Sequence, residues 1–161
     1  MASSLKNLSV VEIPEVSNKS KLKVAIIVAN WNSDITYELR DGAIETFLET
    51  GLVEKNISIK YVPGTFELVL GAQHFCEQKF DAVLCLGCVI QGDTPHFTFI
   101  CDAVANGIMD LNIKYQIPVI FGVLTTNTLK QAQERSGGKH GNKGVEAAAT
   151  ALQMIVLKQS L

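Results

Sequence analysis

Four apolar runs able to be buried strands alternate along this chain with segments of helical periodicity. Val24–Ala29 and Ala82–Ile90 are continuous apolar stretches, as expected of strands covered on both faces. Over 57–61, Ile57, Ile59 and Tyr61 alternate with Ser58 and Lys60, the pattern of a half-exposed strand near a sheet edge, and a fourth run, 119–124, opens after Pro118. Between them Ile35, Leu39, Ala43 and Phe47 recur every four residues until Gly51, and a second helix is expected from Phe66 to Lys79. A third, with Phe99, Ala103, Ile108 and Leu111 among its apolar positions, reaches about Tyr115. A short helix over 128–135, a glycine-rich link from Gly137 to Gly144 and a last helix with the stripe Val145, Ala149, Leu152 and Val156 complete the chain. Strands alternating with helices predict an α/β fold, a parallel sheet with helices on both faces and right-handed crossovers. There is no internal repeat or low-complexity tract.

The 161 residues suit one domain, 21–161, preceded by an arm, 1–20. The start Met1-Ala2-Ser3-Ser4 suggests a transit peptide, but Glu12 and Glu15 follow and no apolar signal core precedes them, so the arm reads as mature chain. Charged residues make up 19%, below the roughly 25% usual for soluble domains, which hints at buried subunit contacts. A net charge of −2 offers no global field for nucleic acid or anionic lipid, and the longest apolar run, Ala82–Ile90, is far short of the ~20 residues of a membrane span. The expectation is a cytoplasmic protein without nucleic-acid or membrane partners. Cys85 and Cys88 spell C-x-x-C, yet in a strand residues three apart point to opposite faces and cannot share a metal or a disulfide partner. With Cys76 and Cys101 they read as small buried hydrophobes.

In such sheets ligands gather at the carboxyl ends of the strands, where the polar, aromatic and glycine-containing insertions of this chain fall. Gly92-Asp93-Thr94-Pro95-His96 opens a helix, whose free N–H groups and positive dipole end favour phosphate. Asp93 would repel that phosphate, so its side chain is expected to turn away, as a helix cap; pattern alone leaves Asp93 and Thr94 open between capping and ligand roles. His96 suits proton transfer near neutral pH or is structural. Trp31 either stacks on a heterocycle or packs a helix, and Glu67 either accepts hydrogen bonds from a ligand or complements a helix dipole. No spacing of the three histidines matches a zinc site, and neither G-x-x-x-x-G-K-[ST] nor G-x-G-x-x-G is present, so Arg135, Lys139 and Lys143 read as a solvated basic segment.

Asn30-Trp31-Asn32, Val62-Pro63-Gly64-Thr65-Phe66-Glu67, Gly87-Cys88-Val89-Ile90-Gln91-Gly92-Asp93-Thr94-Pro95-His96-Phe97, Pro118-Val119-Ile120-Phe121-Gly122-Val123-Leu124-Thr125 and Gly141-Asn142-Lys143-Gly144, taken in order, resemble the lumazine synthase family. The resemblance implies a three-layer α-β-α sandwich with a flavodoxin-like four-stranded parallel sheet. The implied activity joins 5-amino-6-(D-ribitylamino)uracil to 3,4-dihydroxy-2-butanone 4-phosphate, releasing phosphate and water, without metal or redox cofactor. It implies that Trp31 stacks on the pyrimidine, that Thr65, Phe66 and Glu67 hold or flank the ribityl chain, and that Cys88, Val89 and Ile90 line the pyrimidine pocket. Asp93 and Thr94 would bind the butanone phosphate, with His96 as proton donor and acceptor. Phe121, Arg135 and Lys143 would come from the adjacent subunit of a homopentamer, Arg135 on the phosphate, where a guanidinium offsets the repulsion by Asp93. Some members pack pentamers into sixty-subunit shells, and the short link Gly137 to Gly144 looks like that type; riboflavin synthase is a further implied partner. Val10, Val11 and Ile13 of the arm are expected to add a strand to a neighbour's sheet edge. The rival readings are an archaeal-type riboflavin synthase, on a similar fold, and a non-catalytic flavin or lumazine carrier or shell protein.

Overall fold

The fully buried side chains of Val24–Ala29 need apolar cover on both faces, and a central place in a sheet supplies it. The structure, a computed structural model, describes residues 7–161; the transit-peptide-like start lies outside them. Strands β1 (Val24–Ala29), β2 (Ile57–Val62), β3 (Ala82–Ile90) and β4 (Val119–Thr126) form one parallel sheet in the order β2-β1-β3-β4. Helices α1 (Ser33–Glu49), α2 (Leu68–Glu77), α3 (His96–Tyr115), α4 (Leu129–Gln133) and α5 (Lys143–Gln159) make the outer layers. This is the α-β-α sandwich with flavodoxin-like strand order.

Alternation along the strands divides the core. Val24, Ile26, Val28, Leu84, Leu86 and Cys88 pack with α1 and α5 through Leu39, Phe47, Ala148 and Leu152. Ala25, Ile27, Val83 and Cys85 pack on the other face with α2 and α3, through Leu68, Ala72, Val104 and Ile108. The two C-x-x-C cysteines therefore lie on opposite faces, and all four cysteines are free.

Several expectations are corrected. Helix α2 covers Leu68–Glu77 rather than 66–79, because Lys79 turns left-handed (φ 57°) and the N–H groups of Lys79 and Phe80 donate to the carbonyls of Cys76 and Phe75, closing the helix. On α3 the buried positions are Val104, Ile108 and Leu111; Phe99 and Ala103 face outward. Strand β4 runs two residues past Leu124, since Thr125 and Thr126 stay in register with Val89 and Ile90. The glycine-rich link is a small antiparallel hairpin, β5 (Ser136–Gly138) and β6 (Gly141–Asn142), in which Gly137 and Gly141 take φ of 123° and 81°. The arm, whose expected strand belongs to a neighbour's sheet, forms none within its own chain over 7–18: Leu8 N–H donates to the His140 carbonyl, Gln153 Nε2 to the Glu12 carbonyl, and Val16 is buried, while Val10 and Ile13 stay exposed.

Candidate active site

Where β1 and β3 diverge to opposite helices, the loops beyond their carboxyl ends leave a crevice. A cavity of about 730 Å³ occupies it, within the range of small-molecule sites. Its wall is built from three successive connections: Trp31 and Asn32 after β1, Pro63 to Glu67 after β2, and Cys88 to Ile90 with Gly92, Thr94, His96, Phe97 and Ile100 from the end of β3 into α3.

The first connection is stitched to the others by main-chain groups. Asn30 N–H donates to the Val62 carbonyl at 2.8 Å and Trp31 N–H to the Pro63 carbonyl at 3.1 Å. Asn32 takes a left-handed conformation (φ 60°), an uncommon one that asparagine tolerates better than most residues, and its Nδ2 donates to the Cys88 carbonyl at 2.9 Å. Asn32 thus makes no side-chain cap on α1 and ties the turn to β3 instead. Trp31 is left 71% exposed and Phe66 55%, two large aromatic surfaces at the cavity wall.

In the second connection Thr65 is buried, and Glu67 Oε2 accepts from the Gly64 N–H at 3.0 Å, which fixes the carboxylate beside the cavity. A Cβ at Gly87 would stand 2.9 Å from Thr65 Oγ1, so the bare glycine in β3 is what lets this loop close down.

The third connection carries the polar chemistry. Helix α3 starts at His96 behind Pro95 with no side-chain cap, so its first N–H groups are open to a ligand. The expected capping role of Asp93 is corrected: it stands three residues before the helix, beyond the position from which a side chain reaches the first turn. Asp93, Thr94 and His96 are exposed, and nothing fills the space around Gly92. Cys88, at the wall, has its thiol pushed up to about 11 by burial, so it is a neutral surface, not a nucleophile, at neutral pH.

Trp31, Thr65, Phe66, Glu67, Cys88, Val89, Ile90, Thr94 and His96 are therefore brought together, whereas Asp93, Phe121, Arg135 and Lys143 are not part of this wall. Phe121 packs against the α2–α3 side of the core. Arg135 follows α4, one Nη donating to the Gln131 carbonyl at 3.0 Å, and its own carbonyl accepts from Lys143 N–H at 2.9 Å. Lys143 Nζ pairs with Glu146 at 2.8 Å. Asn32, Phe97 and Ile100 were not anticipated; Ile100 lies one helical turn beyond His96, a spacing that puts both on one face.

The family model described as 6,7-dimethyl-8-ribityllumazine synthase matches residues 21–159. The chain belongs to the 6,7-dimethyl-8-ribityllumazine synthase family. Relatives bearing that description include one from Cytophaga hutchinsonii, 55% identical over 96% of this chain and 98% of the relative. Another, from Porphyromonas gingivalis, is 51% identical over 99% of each chain, and one from Parabacteroides distasonis is 48% identical over 96% and 98%. The cavity sits outside the carboxyl ends of the strands, where open α/β sheets of this order hold their ligands.

Proposed function

We propose that this chain condenses 5-amino-6-(D-ribitylamino)uracil with 3,4-dihydroxy-2-butanone 4-phosphate to 6,7-dimethyl-8-ribityllumazine, releasing phosphate and water, in riboflavin biosynthesis. It is a transferase. The observation that carries the reading is a single cavity lined by an exposed indole, an anchored carboxylate, a threonine before an uncapped helix start and a histidine in its first turn.

The chemistry asks for little beyond position and protons. An amine adds to a ketone and water leaves, phosphate is eliminated so that the neighbouring carbon becomes a carbonyl, and the ribitylamino nitrogen adds to that carbonyl and expels a second water; alignment of the two substrates and proton movement lower these barriers. Trp31 stacks on the pyrimidine, with Cys88, Val89 and Ile90 along its edge. Thr65, Phe66 and Glu67 hold the ribityl chain, the carboxylate accepting from its hydroxyls. Thr94, with Asp93 and the open N–H groups of α3, seats the phosphate. His96 gives and takes the protons.

A site of this kind lacks cations for its phosphate unless another surface brings them. Arg135 supplies the phosphate's cation from an adjacent subunit of a homopentamer, whose Phe121 and Lys143 join the ribitylaminouracil side of the site; residues 21–161 form the catalytic domain and 1–20 the arm. The exposed Phe99, Met109 and Ile113 on α3 support such association, as does the low charged fraction. The exposed Val10 and Ile13 would enter a neighbour's sheet at the free edge of β2. The short hairpin before α5 suits assembly of pentamers into sixty-subunit shells; sedimentation showing pentamers alone would remove that element. Cytoplasmic location and contact with riboflavin synthase complete the proposal. Purified protein mixed with both substrates should develop lumazine fluorescence, and consumption of added lumazine instead would indicate the riboflavin synthase reaction.

A further inference from the structure

We infer that Tyr37 and Arg40 are positioning residues for Trp31, acting through Asn30. The inference rests on the stacking role proposed for that indole. Because the Trp31 side chain is 71% exposed, packing does not hold it, and its place follows from the backbone of the turn Asn30-Trp31-Asn32. Three ties of this turn run to the neighbouring connections and to β3, as described above. The fourth comes from behind the cavity wall: Tyr37 O–H donates to Asn30 Oδ1 at 3.0 Å.

Tyr37 is itself held on two sides. The Arg40 guanidinium lies 4.6 Å from its ring centroid, and the Tyr61 ring meets it edge-on at 5.6 Å and 64°. Arg40 is fixed by its own fork, Nε and Nη2 donating to the two oxygens of Asp41 at 2.7 and 2.9 Å and Nη1 donating to the Tyr61 hydroxyl at 2.8 Å. One face of α1, the outer side of β2 and the turn after β1 are thereby joined by side chains of which none lines the cavity. A brace between α1 and β2 alone would need only the edge-on rings and the guanidinium. The Tyr37–Asn30 bond adds nothing to that brace, and it reaches the residue that precedes the indole.

Tyr37→Phe removes this bond and keeps the rings. The expected result is a KM for the ribitylaminouracil raised roughly threefold to tenfold, the worth of one hydrogen bond, with kcat and the KM for the butanone phosphate unchanged and the melting temperature lowered by no more than about 4 °C. Trp31 is the only tryptophan, so its fluorescence anisotropy in the ligand-free protein reads the turn directly and should fall. Asn30→Ala should do the same, and the double variant should be no worse than either single one, since both remove one interaction. Unchanged anisotropy, an unmoved KM, or additive effects would overturn the inference. The anisotropy needs no turnover: a fall in a protein that makes no lumazine would uphold the positioning of Trp31 and defeat the proposed reaction instead.

Discussion

Solvation decides what individual groups here can do. Burial pushes the thiols of Cys76 and Cys88 up to about 11, so both are neutral in the folded protein where an exposed cysteine would begin to ionise, near 9. Between those values the unfolded chain holds fewer protons than the folded one. Stability therefore falls as pH rises from about 9 through 11, and thermal melts across that range should show a decline that Cys76→Ala flattens. For the same reason Cys88→Ala should retain turnover, because no thiolate is lost. His96→Ala should slow turnover by roughly tenfold to a few hundredfold, at or below the usual range for acid–base catalysis, since the substrates remain aligned; unaltered steady-state rates would remove His96 from the mechanism. The wall residues given by the resemblance were legible because they sit in unbroken strings after strands. Asn32 was not, because its part depends on a left-handed backbone and a bond to Cys88 across the sheet, neither of which has a sequence pattern beyond the asparagine itself.

At the scale of elements, α1 and α5 meet backbone to backbone at Gly144. A Cβ on Gly144 would collide with the Leu39 carbonyl oxygen, and rigid backbone cannot step aside as a side chain can. Gly144→Ala should cost at least ~3 kcal/mol in urea unfolding, at the upper end of overpacking penalties. Phe47→Ala, which empties a fully buried place between α1 and the sheet, should cost about 3–5 kcal/mol in the same measurement. Unbroken apolar runs made β1 and β3 readable to the residue, since a strand covered on both faces needs no alternation. The faces of α3 were not readable: Phe99 and Ala103 are as apolar as Val104 and Ile108, and periodicity does not say which stripe meets its own sheet and which is left for another surface. The β5–β6 hairpin escaped notice because a segment of four glycines over 137–144 carries too few side chains for any period, and its turn rests on positive φ angles.

For the whole molecule, the cavity wall and the cations proposed to complete it belong to separate regions of one chain. Arg135→Ala should therefore raise the KM for the butanone phosphate far more than that for the pyrimidine, and equal effects on both would contradict the phosphate role. Arg135→Ala and His96→Ala chains, unfolded and refolded together in equal amounts, should regain roughly a quarter of the unmutated rate, because random neighbours form some wholly intact sites. A mixture no more active than the mean of its parts would put both residues in one protomer's site. If an adjacent subunit completes each site as proposed, each polypeptide is half-owner of two reaction centres. A copy crippled in one region spoils one centre and still serves the other, whereas a copy crippled in both spoils two, so an allele defective in both, expressed beside a healthy one, should lower activity as the square of the healthy fraction.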